Sequence, residues 1–174
     1  PLFLVQGVRD HRQSVQLMKS SQLTFNVTFP PKEDADIVLF AGVSTDFNAM
    51  HMDEEYARTT PFGGRIAHGM LSASLLSAVL GNQLPGPGVV YLSQSLRFRA
   101  PVRIGDTITV QLTVLEKTEE KKLVKLQTVA SNQNGKVVVS GTASVMAPSQ
   151  KLRIERPAAP KVTISSMRFR NSGR

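Results

Sequence analysis

The 174-residue chain carries 21 Lys+Arg against 13 Asp+Glu, is 41% hydrophobic and 20% charged, and has neither Cys nor Trp. That length suits one domain of ordinary size, and the composition excludes a disulfide scaffold, a Cys-based metal site and a disordered chain. The formal charge of +8 belongs to the ends, because residues 1–20 hold three basic residues against one acid, residues 149–174 seven against one, and residues 21–148 eleven of each.

This distribution predicts a basic N-terminal segment (1–20), a neutral domain (21–148) and a basic C-terminal tail (149–174). The first segment, poor in acids and carrying Ser14 and Ser20, reads as a remnant of a targeting segment for the mitochondrial matrix. Cytoplasm and peroxisome are the alternatives, and the terminal Asn171-Ser172-Gly173-Arg174 disfavours the peroxisome. The tail, with Pro157 and Pro160 ahead of Val162-Thr163-Ile164, is expected to be loose or loosely docked. No nucleic-acid partner is expected of it.

Within the neutral domain, Leu23, Phe25, Val27 and Phe29 alternate with polar residues as a half-buried strand does, and Pro30-Pro31 should end it. Glu33 and Asp34 ahead of Ile37, Val38, Phe40 and Ala41 predict a short helix that ends near Gly42 or Val43. Asp53 reads as the N-cap of a second helix with Glu54 and Glu55 in its first turn, closed by Gly63-Gly64. Residues 66–96 contain no Asp, Glu, Lys or Arg, yet the unbroken helical pattern is only Gly69 to Leu80. A bilayer needs about 20 residues, so no membrane span is expected and this is a core helix. Four β-rich runs follow, Val89 to Arg99, Thr107 to Lys117, Leu123 to Asn132 and Val137 to Met146, the last two joined through Asn134-Gly135, a hairpin signal. Helices followed by successive strands imply an α+β fold with an antiparallel sheet, and an apolar helix among strands implies that the sheet wraps it.

The chain has three histidines, and two of them, His51 and His68, lie in one compact stretch. Asp46 and His51 are separated by a segment without helix or strand pattern and can converge only if the chain turns; Asn48 favours such a turn. A carboxylate beside a near-neutral imidazole can hold a water and move its protons. Taken alone the pair is also ordinary turn and capping chemistry. His68 reads equally as a buried, hydrogen-bonded histidine. Gly69 opens the apolar helix, where unpaired N–H groups attract negative charge, although simple helix–sheet packing also favours glycine. Two histidines with acids at 46 and 53 lack a known metal-ligand spacing, so no metal site is expected.

The run Asp46-Phe47-Asn48-Ala49-Met50-His51-Met52-Asp53, then Phe62-Gly63-Gly64-Arg65-Ile66-Ala67-His68-Gly69-Met70-Leu71, resembles the MaoC-like (R)-specific enoyl-thioester hydratases. The resemblance continues through Ser77, Leu84-Pro85-Gly86, Ser93 to Phe98, Pro101-Val102 and Gly105-Asp106. One departure is Ala49, where the family usually has Pro. The resemblance implies a hot dog fold, an antiparallel sheet around a long central helix. It also implies a homodimer formed by joining sheets, with the active site where the subunits meet. Asp46 and His51 would be the hydrating dyad, the Gly69 amide the donor to the thioester carbonyl, and Asn48 and Ser77 supporting residues near the site. The implied reaction is reversible hydration of a trans-2-enoyl thioester to the (R)-3-hydroxyacyl thioester, carried on coenzyme A or an acyl carrier protein, with no metal or redox cofactor. Arg97, Arg99, Arg103 or the tail would attract either anionic carrier. A thioesterase on the same fold and a non-catalytic acyl-thioester binder are the rival readings.

Overall fold

The computed structural model describes residues 24–149, apart from residues 30 and 31 and the side chain of Phe25. The expectations for segment 1–20, the tail from residue 150 onward, the inward side chains at 23 and 25 and the Pro30-Pro31 stop lie outside the described residues. The elements run β1 (Thr24–Thr28), α1 (Asp34–Ser44), α2 (Ala49–Met52), α3 (Glu54–Thr59), α4 (Gly69–Asn82), β2 (Val90–Phe98), β3 (Ile108–Thr118), β4 (Leu123–Asn132) and β5 (Val137–Met146). The five strands form one antiparallel sheet in the order β1-β3-β4-β5-β2.

Alternation along each strand builds one continuous apolar face. Val110 lies opposite Ala130 and Ala130 opposite Val139, while Leu126 meets Ala143 and Val124 meets Val145, and all are buried. The other face of the β1–β3 pair is polar, with Thr28 and Thr109 hydroxyls 2.9 Å apart. The Asn134-Gly135 signal forms the β4–β5 hairpin as read: the Gly135 N–H donates to Asn132 O at 2.9 Å and Gly135 takes φ +75°, which only glycine adopts at no steric cost.

Helix α4 lies across this apolar face. Ser72, Ala73, Leu75, Leu76, Val79 and Leu80 are buried at helical spacing, and Leu76, Val79 and Leu80 are fully enclosed. Burial of side chains this size stabilises by roughly 1.5–3 kcal/mol each. The sheet covers the helix along its apolar side and leaves one narrow stripe open: Met70, Ser74 and Ser77, spaced at i, i+4 and i+7, are exposed. A charge-free helix need not be covered on every side, because serines can line a solvent-facing stripe. No described helix is long and apolar enough to cross a membrane.

Gly141 faces Thr128 on β4 and Leu96 on β2, and a Cβ there would run into the Ser95 carbonyl. Gly141→Ala is therefore expected to destabilise the fold by about 1–3 kcal/mol through overpacking against backbone. Denaturant unfolding checks this, with a wild-type midpoint as the contradicting result.

Candidate active site

The turn that carries the site is built from short polar side chains handing hydrogen bonds to one another. Helix α1 stops at Thr45, a C-cap in the left-handed region at φ 60°. The Asp46 N–H then donates to Ser44 Oγ at 3.3 Å, the Asn48 N–H to Asp46 Oδ1 at 3.2 Å and the Met50 N–H to Asn48 Oδ1 at 3.2 Å. The last bond makes Asn48 the N-cap of α2 and so answers the expectation that it supports the turn. The segment expected to lack secondary structure thus contains a single helical turn, too short to show an apolar period. Asp53 is a cap, as its sequence context suggested: its side chain accepts from the Tyr56 N–H at 3.1 Å. Asp53 does not line the cavity described below.

Helix α2 returns His51 over Asp46. His51 is 7% exposed, and its Nδ1 lies 2.8 Å from Ile66 O. A carbonyl only accepts, so Nδ1 carries the hydrogen and Nε2 keeps a lone pair. Arg65 holds the backbone of the same residue, donating from Nε to His51 O at 2.6 Å while its Nη1 pairs with Asp34 at 2.6 Å. The His68 ring lies against His51, with centroids 3.9 Å apart and planes 33° from parallel. Burial pushes the His51 imidazole below its ordinary range; the Ile66 bond opposes this, His68 adds to it, Asp46 opposes it and Arg65 adds to it.

Gly69 begins α4 with His68 as N-cap, and its N–H has no acceptor among the described residues. A Cβ at position 69 would meet the Phe98 ring at 2.8 Å, so the packing reason for glycine is real and coexists with an open amide. Asp46, His51 and Gly69 all line one cavity of about 490 Å³. Its remaining wall is largely apolar, with Met50, Phe62, Ile66, Phe98, Val138 and Val139. Ser77 is exposed on α4 and is not part of this lining, whereas Ser72 on the same helix is buried and lines it.

Asp46, His51 and His68 each bring a potential ligand atom within 4.8 Å of the others. One nitrogen of each ring is committed to a backbone carbonyl, His51 Nδ1 to Ile66 O and His68 Nε2 to Asp46 O, which leaves one lone pair on each imidazole. Sequence reasoning did not single out Arg65 or give His68 a partner. The glycines at 63 and 64, at φ +66° and +158°, mark an unusual backbone path into Arg65 and were the available signal.

The pattern of the MaoC-like domain matches residues 6–137. The chain belongs to the MaoC-like domain family. An (R)-specific enoyl-CoA hydratase of Rhodospirillum rubrum is 56% identical over 117 residues, 67% of this chain and 81% of that protein. A mitochondrial 3-hydroxyacyl-[acyl-carrier-protein] dehydratase of Arabidopsis thaliana is 40% identical over 126 residues, 71% of this chain and 75% of that protein. The unliganded R-hydratase of Pseudomonas aeruginosa superimposes with a TM-score of 0.78 at 46% identity, covering 83% of this chain and 92% of that one. The α+β architecture is the family's hot dog fold.

Two outcomes follow from the turn and its imidazole. Asn48 has ψ 131°, the conformation that a following proline requires, and residue 49 is the first helical position, where proline is tolerated. Ala49→Pro is expected to raise stability by about 0.4–1 kcal/mol with activity kept, measured by thermal unfolding; a lowered midpoint contradicts this. An imidazole accepts a proton only when neutral, so a base at position 51 predicts that kcat/KM falls as pH drops through a value below the ordinary 6.5. The neutral buried ring also stabilises the fold above that range, and this stability is lost on acidification. A pH–rate profile with its acid limb above the ordinary value contradicts the assignment.

Proposed function

We propose that this protein reversibly hydrates trans-2-enoyl thioesters to (R)-3-hydroxyacyl thioesters, as a hydro-lyase of the MaoC-like family. The observation that carries the reading is the meeting of a carboxylate, a neutral imidazole and a free helix-N-terminal amide on one apolar cavity. An enoyl chain occupies the apolar part, and its thioester carbonyl accepts from the Gly69 N–H. As water adds to C3, charge develops on that oxygen; the amide and the N-terminus of 14-residue α4 stabilise the enolate. A positioned donor of this kind is worth about 3 kcal/mol of barrier.

The water sits between Asp46 and His51. His51 Nε2 accepts its proton because the Nδ1–H is committed to Ile66 O. Asp46 Oδ1 is engaged by the Asn48 amide, which leaves Oδ2 to orient the same water. The proton taken from water is returned to C2, so the elements of water add across the double bond and no other reactant is consumed. Dehydration retraces these steps.

The carrier is coenzyme A or the phosphopantetheine of an acyl carrier protein, both named among the relatives. The working unit is a homodimer. Strand β2 is an edge of the sheet, and Val90, Tyr91, Leu92 and Phe98 on it are exposed, a concentration that favours a partner sheet. Ser77, exposed on the open stripe of α4 and outside the cavity lining, supports the site on the strength of the family resemblance alone. The basic composition of residues 1–20, together with the mitochondrial name of the Arabidopsis relative, supports a mitochondrial location.

Incubation with crotonyl-CoA is expected to remove the enoyl absorbance and yield (R)-3-hydroxybutyryl-CoA by chiral analysis. Asp46→Asn and His51→Ala should each lower kcat by about 10²–10⁴-fold. Release of free thiol with the enoyl group intact would make the protein a thioesterase. Activity unchanged in both variants would leave the dyad without a role.

A further inference from the structure

His68 takes no part in the scheme above, yet at 1% exposure it is the most buried histidine at the site. Its Nε2 lies 2.9 Å from the backbone oxygen of Asp46. Since that oxygen can only accept, Nε2 carries the hydrogen and Nδ1 keeps a lone pair. Nδ1 is buried without a partner among the described residues. An apolar ring would fill this place without orphaning a nitrogen, so burial alone does not account for an imidazole here. What the imidazole adds is the bond to Asp46.

That bond reaches where no other does. Every other hydrogen bond made by residues 45–48, among the described residues, goes to a neighbour within three positions. The bond from His68 spans 22 positions. Asp46 and Phe47 are exposed, Phe47 at 62%, so packing does not hold the turn either. His68 itself is fixed, with Phe40 against it at 5.1 Å and His51 at 3.9 Å between ring centroids. It is also the N-cap of α4, adjacent to Gly69.

We propose that His68 is a positioning residue, whose Nε2–H holds the Asp46 backbone, and with it the carboxylate, in register with the Gly69 amide and the His51 ring. One residue thereby ties the water-orienting group to the carbonyl-binding group. This rests on the hydratase reading.

The test compares wild type, H68Q, H68N and H68F on crotonyl-CoA. Gln places an N–H near the position of Nε2; Asn is one carbon too short to reach Asp46 O; Phe keeps the ring and removes the donor. Loss of registration of this kind is expected to lower kcat about 10²-fold in H68N and H68F. KM should stay within about threefold, because His68, although it lines the cavity, leaves the apolar wall of Ile66, Phe98, Val138 and Val139 in place. H68Q should recover at least about tenfold of the loss. Equal losses in H68Q and H68N, at equal thermal midpoints, would make the role one of ring packing and overturn the proposal. So would H68F or H68N retaining wild-type kcat. If H68F fails to fold, the Gln–Asn comparison decides alone. A wild-type protein that does not hydrate crotonyl-CoA overturns the hydratase reading and this inference with it, whereas an active wild type with indifferent variants overturns only the positioning role.

Discussion

The site depends on one constraint, the extended approach to α4 from Arg65 to Gly69 and its fixation against the body of the domain. The Ala67 N–H donates to Val102 O at 2.8 Å and Ile66 bridges to Arg103, so the segment is tied into the backbone just ahead of β3. From that fixed strip, each residue reaches the site in turn. Arg65 holds the His51 carbonyl, Ile66 O sets the His51 tautomer, His68 meets the Asp46 backbone and Gly69 offers its amide. Four functions from five residues of one tethered strip explain how a turn of local Asx-type bonds can be held in place.

Electrostatics reinforce this geometry. A largely apolar cavity lowers the local dielectric, so in the proposed scheme a free N–H and a helix terminus would act more strongly on developing enolate charge than in water. The same burial keeps His51 neutral and ready to accept a proton. Arg65, whose side chain is 12% exposed, places a permanent cation nearby and is balanced by Asp34, which spares His51 part of that charge. The broad basicity of the chain has no part in this, because residues 21–148 are neutral in sum.

Much of the fold was legible because it rests on periodic burial. The β2 to β5 runs, the Gly135 turn and the α4 start at Gly69 all lie within a residue or two of their expected places, since alternation and helical spacing report directly on a buried face. Asp46, His51 and Gly69 stood out through motif resemblance, and the structure gathers them on one cavity. What escaped was aperiodic. Helix α2 has four residues, and its cap is a side-chain bond rather than an apolar rhythm. The contacts Arg65–Asp34, His51–Ile66 and His68–Asp46 join residues 15 to 31 positions apart, and no local pattern encodes them. The sequence also did not mark which side of the helix would stay open at Met70, Ser74 and Ser77, because the helix carries no charge to point outward.

In the proposed scheme a thioester carbonyl binds the Gly69 amide while Asp46 and His51 face its β-carbon. The most direct measurement is amide NMR of the labelled protein during titration with butyryl-CoA, which carries the thioester but no reactive double bond. A saturable downfield shift of the Gly69 amide proton is expected, together with shifts at His51. Saturable binding that leaves Gly69 and His51 unmoved would contradict it.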